Sequence, residues 1–202
     1  MKIFITTIPP MQKPEFLTDS IYIAANNEKL DTDICTCFPV LPLVKGYSKK
    51  GEKVELIVVF TDDDACPNCK VHYAKFLEHA KKYLSDIDYS IKEIKITYDE
   101  TVEAHLNTFM RIIEEINEGD TVFADISYGT KPLPIIEIMA LNYCLRIKKN
   151  TVVECLAYGS KDFNTNEIKI YDVTSLLYMD EIINNVGQAD IDNPTEFLKS
   201  LM

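Results

Sequence analysis

Apolar and polar positions follow two rhythms along the chain, and the rhythms take turns. Lys2 to Thr7, Lys53 to Phe60 (KVELIVVF), Thr121 to Ile126 (TVFADI) and Thr151 to Tyr158 (TVVECLAY) are short and dense in β-branched and aromatic residues, which predicts core strands. Tyr89 to Tyr98 alternates apolar with polar and predicts a strand with one wet face. Phe38 to Lys49, Asn68 to Ser85 and Pro134 to Lys149 are too long for strands and predict helices. Thr101 to Asn117 is amphipathic at helical spacing, which turns Leu106, Phe109, Ile112, Ile113 and Ile116 inward. Glu167 to Tyr171 predicts a last short strand, antiparallel at the sheet edge. Helices from Thr174 to Asn185 and after Asp192-Asn-Pro194 follow it. Only the stretch from Ile8 to about Cys37 has no rhythm.

Alternation of this kind predicts an α/β fold: a Rossmann-like, doubly wound, mainly parallel sheet with helices on both faces. Residues 1–172 make the sheet domain and 173–202 a short C-terminal helical extension. No repeat, low-complexity tract or linker divides them.

Composition narrows the function. With 47% hydrophobic and 26% charged residues, the 202-residue chain reads as a soluble globular protein. Met1 to Ile8 resembles the start of a signal peptide, but its apolar run is too short and stops at Pro9 and Pro10, so a first strand is expected there. No stretch reaches the roughly 18 to 20 apolar residues of a membrane span, and a cytoplasmic protein is expected. A net charge of −11, with Arg111 and Arg146 as the sole arginines, excludes docking along duplex DNA or a long RNA. A compact anion in one focused pocket stays allowed, because local lysines and helix N-termini can overcome the unfavourable overall field over the short range that salt leaves unscreened.

The most informative run is Asp125-Ile-Ser-Tyr-Gly-Thr-Lys-Pro-Leu-Pro134, which joins a buried strand to a buried helix at the carboxyl edge of the expected sheet. Backbone N–H groups at a helix start lack intrahelical partners and favour an anion, and Lys131 adds a full charge. Gly129 allows close approach, while Pro132 and Pro134 suit a first helical turn. An ordinary turn with a solvated lysine fits the same residues.

Cysteines 35, 37, 66 and 69 form two close pairs that would suit zinc if they met in space, whereas reduced thiols are the expected state; Cys144 and Cys155 read as small apolar core residues. No metal and no cofactor is expected. The chain has no G-x-G-x-x-G turn and no G-x-x-x-x-G-K loop. His72, His79 and His105 fall in predicted helices and read as structural, half-buried or exposed. Glu93-x-Lys95 and Glu167-x-Lys169 read as charge alternation on solvated strands. Asp62, Asp63 and Asp64 read as a solvated acidic loop.

The first strand ending in hydroxyls (Ile5-Thr-Thr7-Ile-Pro-Pro10), the core strand before a polar loop (Leu56 to Asp64) and the Asp125 to Pro134 junction together resemble the CRISPR-associated Rossmann-fold (CARF) domains of type III CRISPR systems, over roughly residues 1 to 172. The resemblance implies a homodimer that binds a cyclic oligoadenylate, tetra- or hexa-adenylate, across its twofold axis. Carried over by position, the ligand-binding residues are Thr6, Thr7, Ile8, Ser127, Tyr128, Gly129, Thr130 and Lys131. Tyr128 either stacks on adenine or caps the sheet edge. The chain lacks the arginine and histidine, five apart, of the ribonuclease effectors often fused to such domains, and after Asp172 about thirty residues remain. Two classes therefore fit: a standalone, metal-independent ring nuclease with Lys131, Thr6 and Thr7 as catalytic groups, or a non-catalytic sensor read by a separate partner. An unrelated nucleotide or metabolite site is the third.

Overall fold

The computed structural model describes residues 1–202 apart from 11, 12, 163, 164, 166, 190 and 202. The chain runs β1 (Lys2–Thr7), an excursion holding the two-residue strands β2 (Ser20–Ile21), β3 (Ile23–Ala24) and β4 (Cys35–Thr36), then α1 (Val40–Tyr47), β5 (Lys53–Thr61), α2 (Pro67–Tyr83), β6 (Asp88–Ile96), α3 (Val102–Glu114), β7 (Thr121–Asp125), α4 (Pro132–Ile147), β8 (Val152–Lys161), β9 (Ile168–Asp172), α5 (Thr174–Gln188) and α6 (Pro194–Ser200). Seven strands make one sheet in the order β3-β9-β8-β7-β1-β5-β6. Neighbours from β8 to β6 are parallel, and β9 runs antiparallel to β8. The fold is the expected doubly wound, mainly parallel α/β sheet. One expectation needs correcting: β9 is not the edge, because β3 from the irregular excursion pairs beside it. A two-residue strand carries no periodicity, so nothing in the sequence marks it.

Period-two alternation splits the strands between two cores. Phe4, Leu56, Val58 and Phe123 face α1 and α2; Ile3, Ile5, Ile57, Val122 and Ala124 face α3, α4 and α5. Phe4 and Phe123 stack with centroids 4.5 Å apart across neighbouring strands. At the β7–β8 register shift, Val122 pairs with Val153 but Phe123 with Cys155; Glu154 is the extra residue, and the bulge keeps each side chain on its proper face. Thus both faces are buried along the inner strands β1, β5 and β7, as parallel sheets require, while the edge strand β6 keeps most of its residues exposed or half-buried.

The C-terminal segment divides. Leu177 of α5 enters the second core and the Thr174 hydroxyl accepts from Leu156 N–H at 2.7 Å, whereas α6 buries none of its residues. Among the described residues, no helix is long and apolar enough to cross a membrane.

Helix ends moved by a few residues. α4 starts at Pro132, one half-turn earlier than Pro134, because proline at the first helical position gives up an N–H that would have had no partner anyway. In α3, Ile112 and Ile113 are buried, as is Ile116 just beyond its end, but Leu106 is 53% exposed, against its expected inward position. The reason is that α3 carries two apolar stripes and only one faces the sheet.

Candidate functional site

From β1 the chain builds outward through β5 to β6, then returns across the sheet to lay β7 and β8 on the other side of β1. The strand order therefore reverses between β1 and β7. In open α/β sheets the crevice at the carboxyl ends of two such strands is where ligands bind. Thr6 pairs in register with Asp125 there, and the loop from Ile126 to Lys131 lies at that end.

Thr6, Thr7 and Ile8 sit at this switch point, and all three are buried. The Thr6 hydroxyl donates to Asp125 Oδ2 at 3.2 Å, and the Thr7 hydroxyl donates to Glu137 Oε1 at 2.5 Å. Their hydroxyl protons are therefore committed to protein carboxylates. The Ser127 hydroxyl donates to Asp125 Oδ1 and accepts from Gly159 N–H at 2.7 Å, which ties the loop to β8. Tyr128 donates its phenol to the Cys37 carbonyl at 2.7 Å and packs on the first core. That hydrogen bond is the contact the capping reading calls for.

Gly129 has φ 119°, a left-handed conformation that side chains rarely adopt, and an added Cβ would lie 3.0 Å from Leu133 Cβ and 3.4 Å from Thr7 Cγ2. Glycine is required twice over, by conformation and by contact. The donors differ from the sequence expectation. In the first turn of α4, Pro132 and Pro134 have no N–H, and Leu133 N–H is spent on the Thr130 carbonyl at 2.9 Å. The free donors lie just before the helix instead: among the described residues, none accepts from the N–H groups of Tyr128, Gly129, Thr130 or Lys131. Lys131 is exposed, and its ammonium has no hydrogen bond or ion pair among the described residues.

Two buried acids form the floor, and neither was singled out from sequence. Burial pushes the Asp125 carboxyl up to about 6, against the opposing pull of hydrogen bonds from Ser127 and Thr6. Burial likewise pushes Glu137 up to about 8, with the Asp125 charge adding to it; its Oε2 has no partner. At neutral pH Glu137 therefore keeps its proton, and the floor carries about one negative charge rather than two. The signal for Glu137 was visible as one acid inside Ile135-Ile-Glu-Ile-Met139, where a charge has no place on a buried helix.

Around the loop the surface is uneven. On one flank, Tyr22, Ser127, Tyr128, Tyr158 and Lys161 line a cleft of about 470 Å³. On the other, Lys131 borders an apolar groove formed by Leu106, Phe109, Pro132, Ile135 and Met139.

Other candidates resolve as structure. Lys70 bridges Asp62 at 3.0 Å and Asp64 at 3.8 Å, while Asp63 accepts from the N–H groups of Ala65 and Tyr98. Glu93 pairs with Lys95, and Glu167 with Lys169. His72 is fully buried, not half-buried, because the segment after β1 folds over α2 and brings the Pro9 carbonyl within 2.7 Å of Nδ1. His105 lies 3.5 Å from Glu100. Among the described residues the four paired cysteines form no common cluster; Cys37 instead meets Asp19 and His79.

No family model matches the chain, and no curated protein does.

Proposed function

We propose that the chain binds a cyclic oligoadenylate, the second messenger of type III CRISPR antiviral defence, at the β1–β7 switch point of a homodimer. The observation that carries the reading is the loop Tyr128 to Lys131, which offers consecutive N–H groups and an ammonium with no acceptor among the described residues, at the place where α/β sheets bind ligands. Such a ring is compact and carries one negative charge per phosphate, so it asks for convergent donors rather than a basic groove. The protonated state of Glu137 supports this, since it removes one charge from beneath the ligand. The apolar groove beside Lys131 supports the dimer: Leu106, Ile135 and Met139 are each about half exposed or more, and burying them on a twofold axis brings two copies of Lys131 near the same ring.

Two outcomes for the bound ring have separate support. Ring opening would proceed by attack of each ribose 2′-hydroxyl on its neighbouring phosphate, with Lys131 stabilising the charge that develops. An uncommitted Lys131 favours it. Pure sensing, read by a separate partner, is favoured by Thr6 and Thr7, whose hydroxyl protons are engaged by Asp125 and Glu137 and do not orient an attacking group. The sensing outcome has the better support.

The test is incubation of the pure protein with labelled cyclic tetra-adenylate and cyclic hexa-adenylate in the presence of a chelator. Tight binding of one ring, recovered intact after hours, is expected. Linear products ending in 2′,3′-cyclic phosphate would assign ring opening instead, and absence of binding to either ring would remove the proposal.

A further inference from the structure

The excursion between β1 and α1 has only short elements of regular structure; it is held by Leu17, Tyr22, Leu30 and Ile34, which enter the first core, and by contacts of its first part to His72 and Lys75 of α2. Long segments of this kind are usually stapled or functional. The staple is a cluster on the α2 face, apart from the β1–β7 loop. Asp19 from before β2, Cys37 from after β4 and His79 from α2 place one carboxylate oxygen, one sulfur and one ring nitrogen within 4.8 Å of one another. Among the described residues no other three Asp, Glu, Cys or His side chains bring donor atoms so close.

We propose that Asp19, Cys37 and His79 form a transition-metal site suited to zinc. Oxygen, sulfur and nitrogen donors in one group match a borderline-soft ion, and three protein ligands leave a fourth position for water. His79 has the support such a ligand needs: its Nδ1 lies 2.8 Å from the Thr36 hydroxyl, which also accepts from Phe38 N–H at 3.2 Å. That contact fixes the ring and leaves Nε2 facing the cluster, 3.6 Å from Asp19 Oδ2.

One positive charge already balances the cluster. The Lys75 ammonium lies 2.8 Å from Asp19 Oδ1 and 2.9 Å from the Leu17 carbonyl. Without metal, it supplies the charge that an ion would bring. On metal uptake the partly exposed Lys75 swings to solvent with its proton, and the Cys37 thiol, pushed up to about 12 mainly by burial, releases its own proton to solvent as the metal–sulfur bond forms. The metal then clips both ends of the β2–β4 excursion to α2. Because the Cys37 carbonyl also receives the Tyr128 hydroxyl, the clip lies one residue from the loop that ends at Lys131.

The test uses the full chain stripped with chelator and titrated with cobalt(II), then zinc(II). One cobalt ion per chain, a sulfur-to-cobalt charge-transfer band and displacement of that band by zinc are expected, with a rise in melting temperature. Cys37→Ser should lose the band, and His79→Gln should lose tight binding. Lys75→Met removes the competing ammonium and keeps its stem, so affinity should rise about tenfold or more; a purely structural cluster predicts no such gain. Cys35→Ser, at an exposed thiol, should change nothing. If Cys37→Ser does not fold, the wild-type band and its loss in His79→Gln decide the matter. No thiolate band in either wild type or Lys75→Met, or a band that survives Cys37→Ser, would overturn the site.

Discussion

On one face of the sheet α1 is buried for most of its length, and the excursion above it is fastened where Tyr128, Lys75 and Tyr83 donate to the carbonyls of Cys37, Leu17 and Cys35; on the other face α3 and α4 turn Leu106, Ile135 and Met139 outward. Both faces began from the same material, a parallel sheet that must be covered. The difference is that the first face leaves apolar residues such as Phe16, Ile21 and Val71 exposed on separate elements, while the second gathers Leu106, Ile135 and Met139 along one groove beside Lys131. An apolar residue is thus a fold determinant on one face and, under the proposed dimer, an assembly determinant on the other.

The sharpest way to break that contrast is to truncate one residue from each face. Phe76 is fully buried in the first core, so Phe76→Ala should cost about 3–5 kcal/mol in denaturant unfolding. Ile135 is 60% exposed, and Ile135→Lys should leave the folding of the chain within about 0.5 kcal/mol but convert a dimer to a monomer in light scattering. Equal folding losses from both would show that the second face is no interface.

Next in size is the buried acid of the second core. Glu137 moves from an ordinary 4.5 to about 8 in the folded chain. Below pH 4.5 it is protonated whether folded or unfolded and costs nothing. As pH rises from 4.5 through 8 the unfolded carboxyl ionises while the native one holds its proton, so native stability is progressively lost, on the order of a few kcal/mol by the top of that window. Melting curves of Glu137→Gln should lack this fall. Parallel pH profiles for the two proteins would show that Glu137 is not held protonated.

Lys131→Ala should weaken cyclic oligoadenylate binding by about 1.5–3 kcal/mol, roughly ten- to a hundredfold, with melting temperature unchanged because the ammonium is uncommitted. Unchanged affinity in a filter-binding titration would move the site elsewhere. Smallest is Tyr128→Phe, which removes one hydrogen bond to Cys37 and should cost about 0.5–1.5 kcal/mol of stability with ligand affinity intact. Loss of affinity without loss of stability would instead give the Tyr128 hydroxyl a role at the ligand.

The sheet strands were legible because β1, β5, β7 and β8 are buried apolar runs, and the junction at Gly129 because its turn chemistry is local. What the sequence withheld was orientation. A one-residue register change flips a side chain to the other face, so Thr6 and Thr7 were visible as hydroxyls at a strand end, yet not as donors to buried carboxylates. Leu106 was visible as apolar at helical spacing, but spacing does not say which of two apolar stripes meets the sheet. The helix-start donors were misplaced by two prolines, whose effect is to move the free N–H groups back into the loop. Asp19, Cys37 and His79 are far apart in sequence and met only through the irregular excursion.

In the proposed complex one ring sits on a twofold axis between two copies of Lys131, which fixes its stoichiometry. Isothermal titration of cyclic tetra-adenylate and cyclic hexa-adenylate into the wild-type chain should reach saturation at one ring per two chains for the ring that binds, with Lys131→Ala keeping that ratio at weaker affinity. One ring per chain, or no binding of either ring by a protein that scatters light as a monomer, would contradict it.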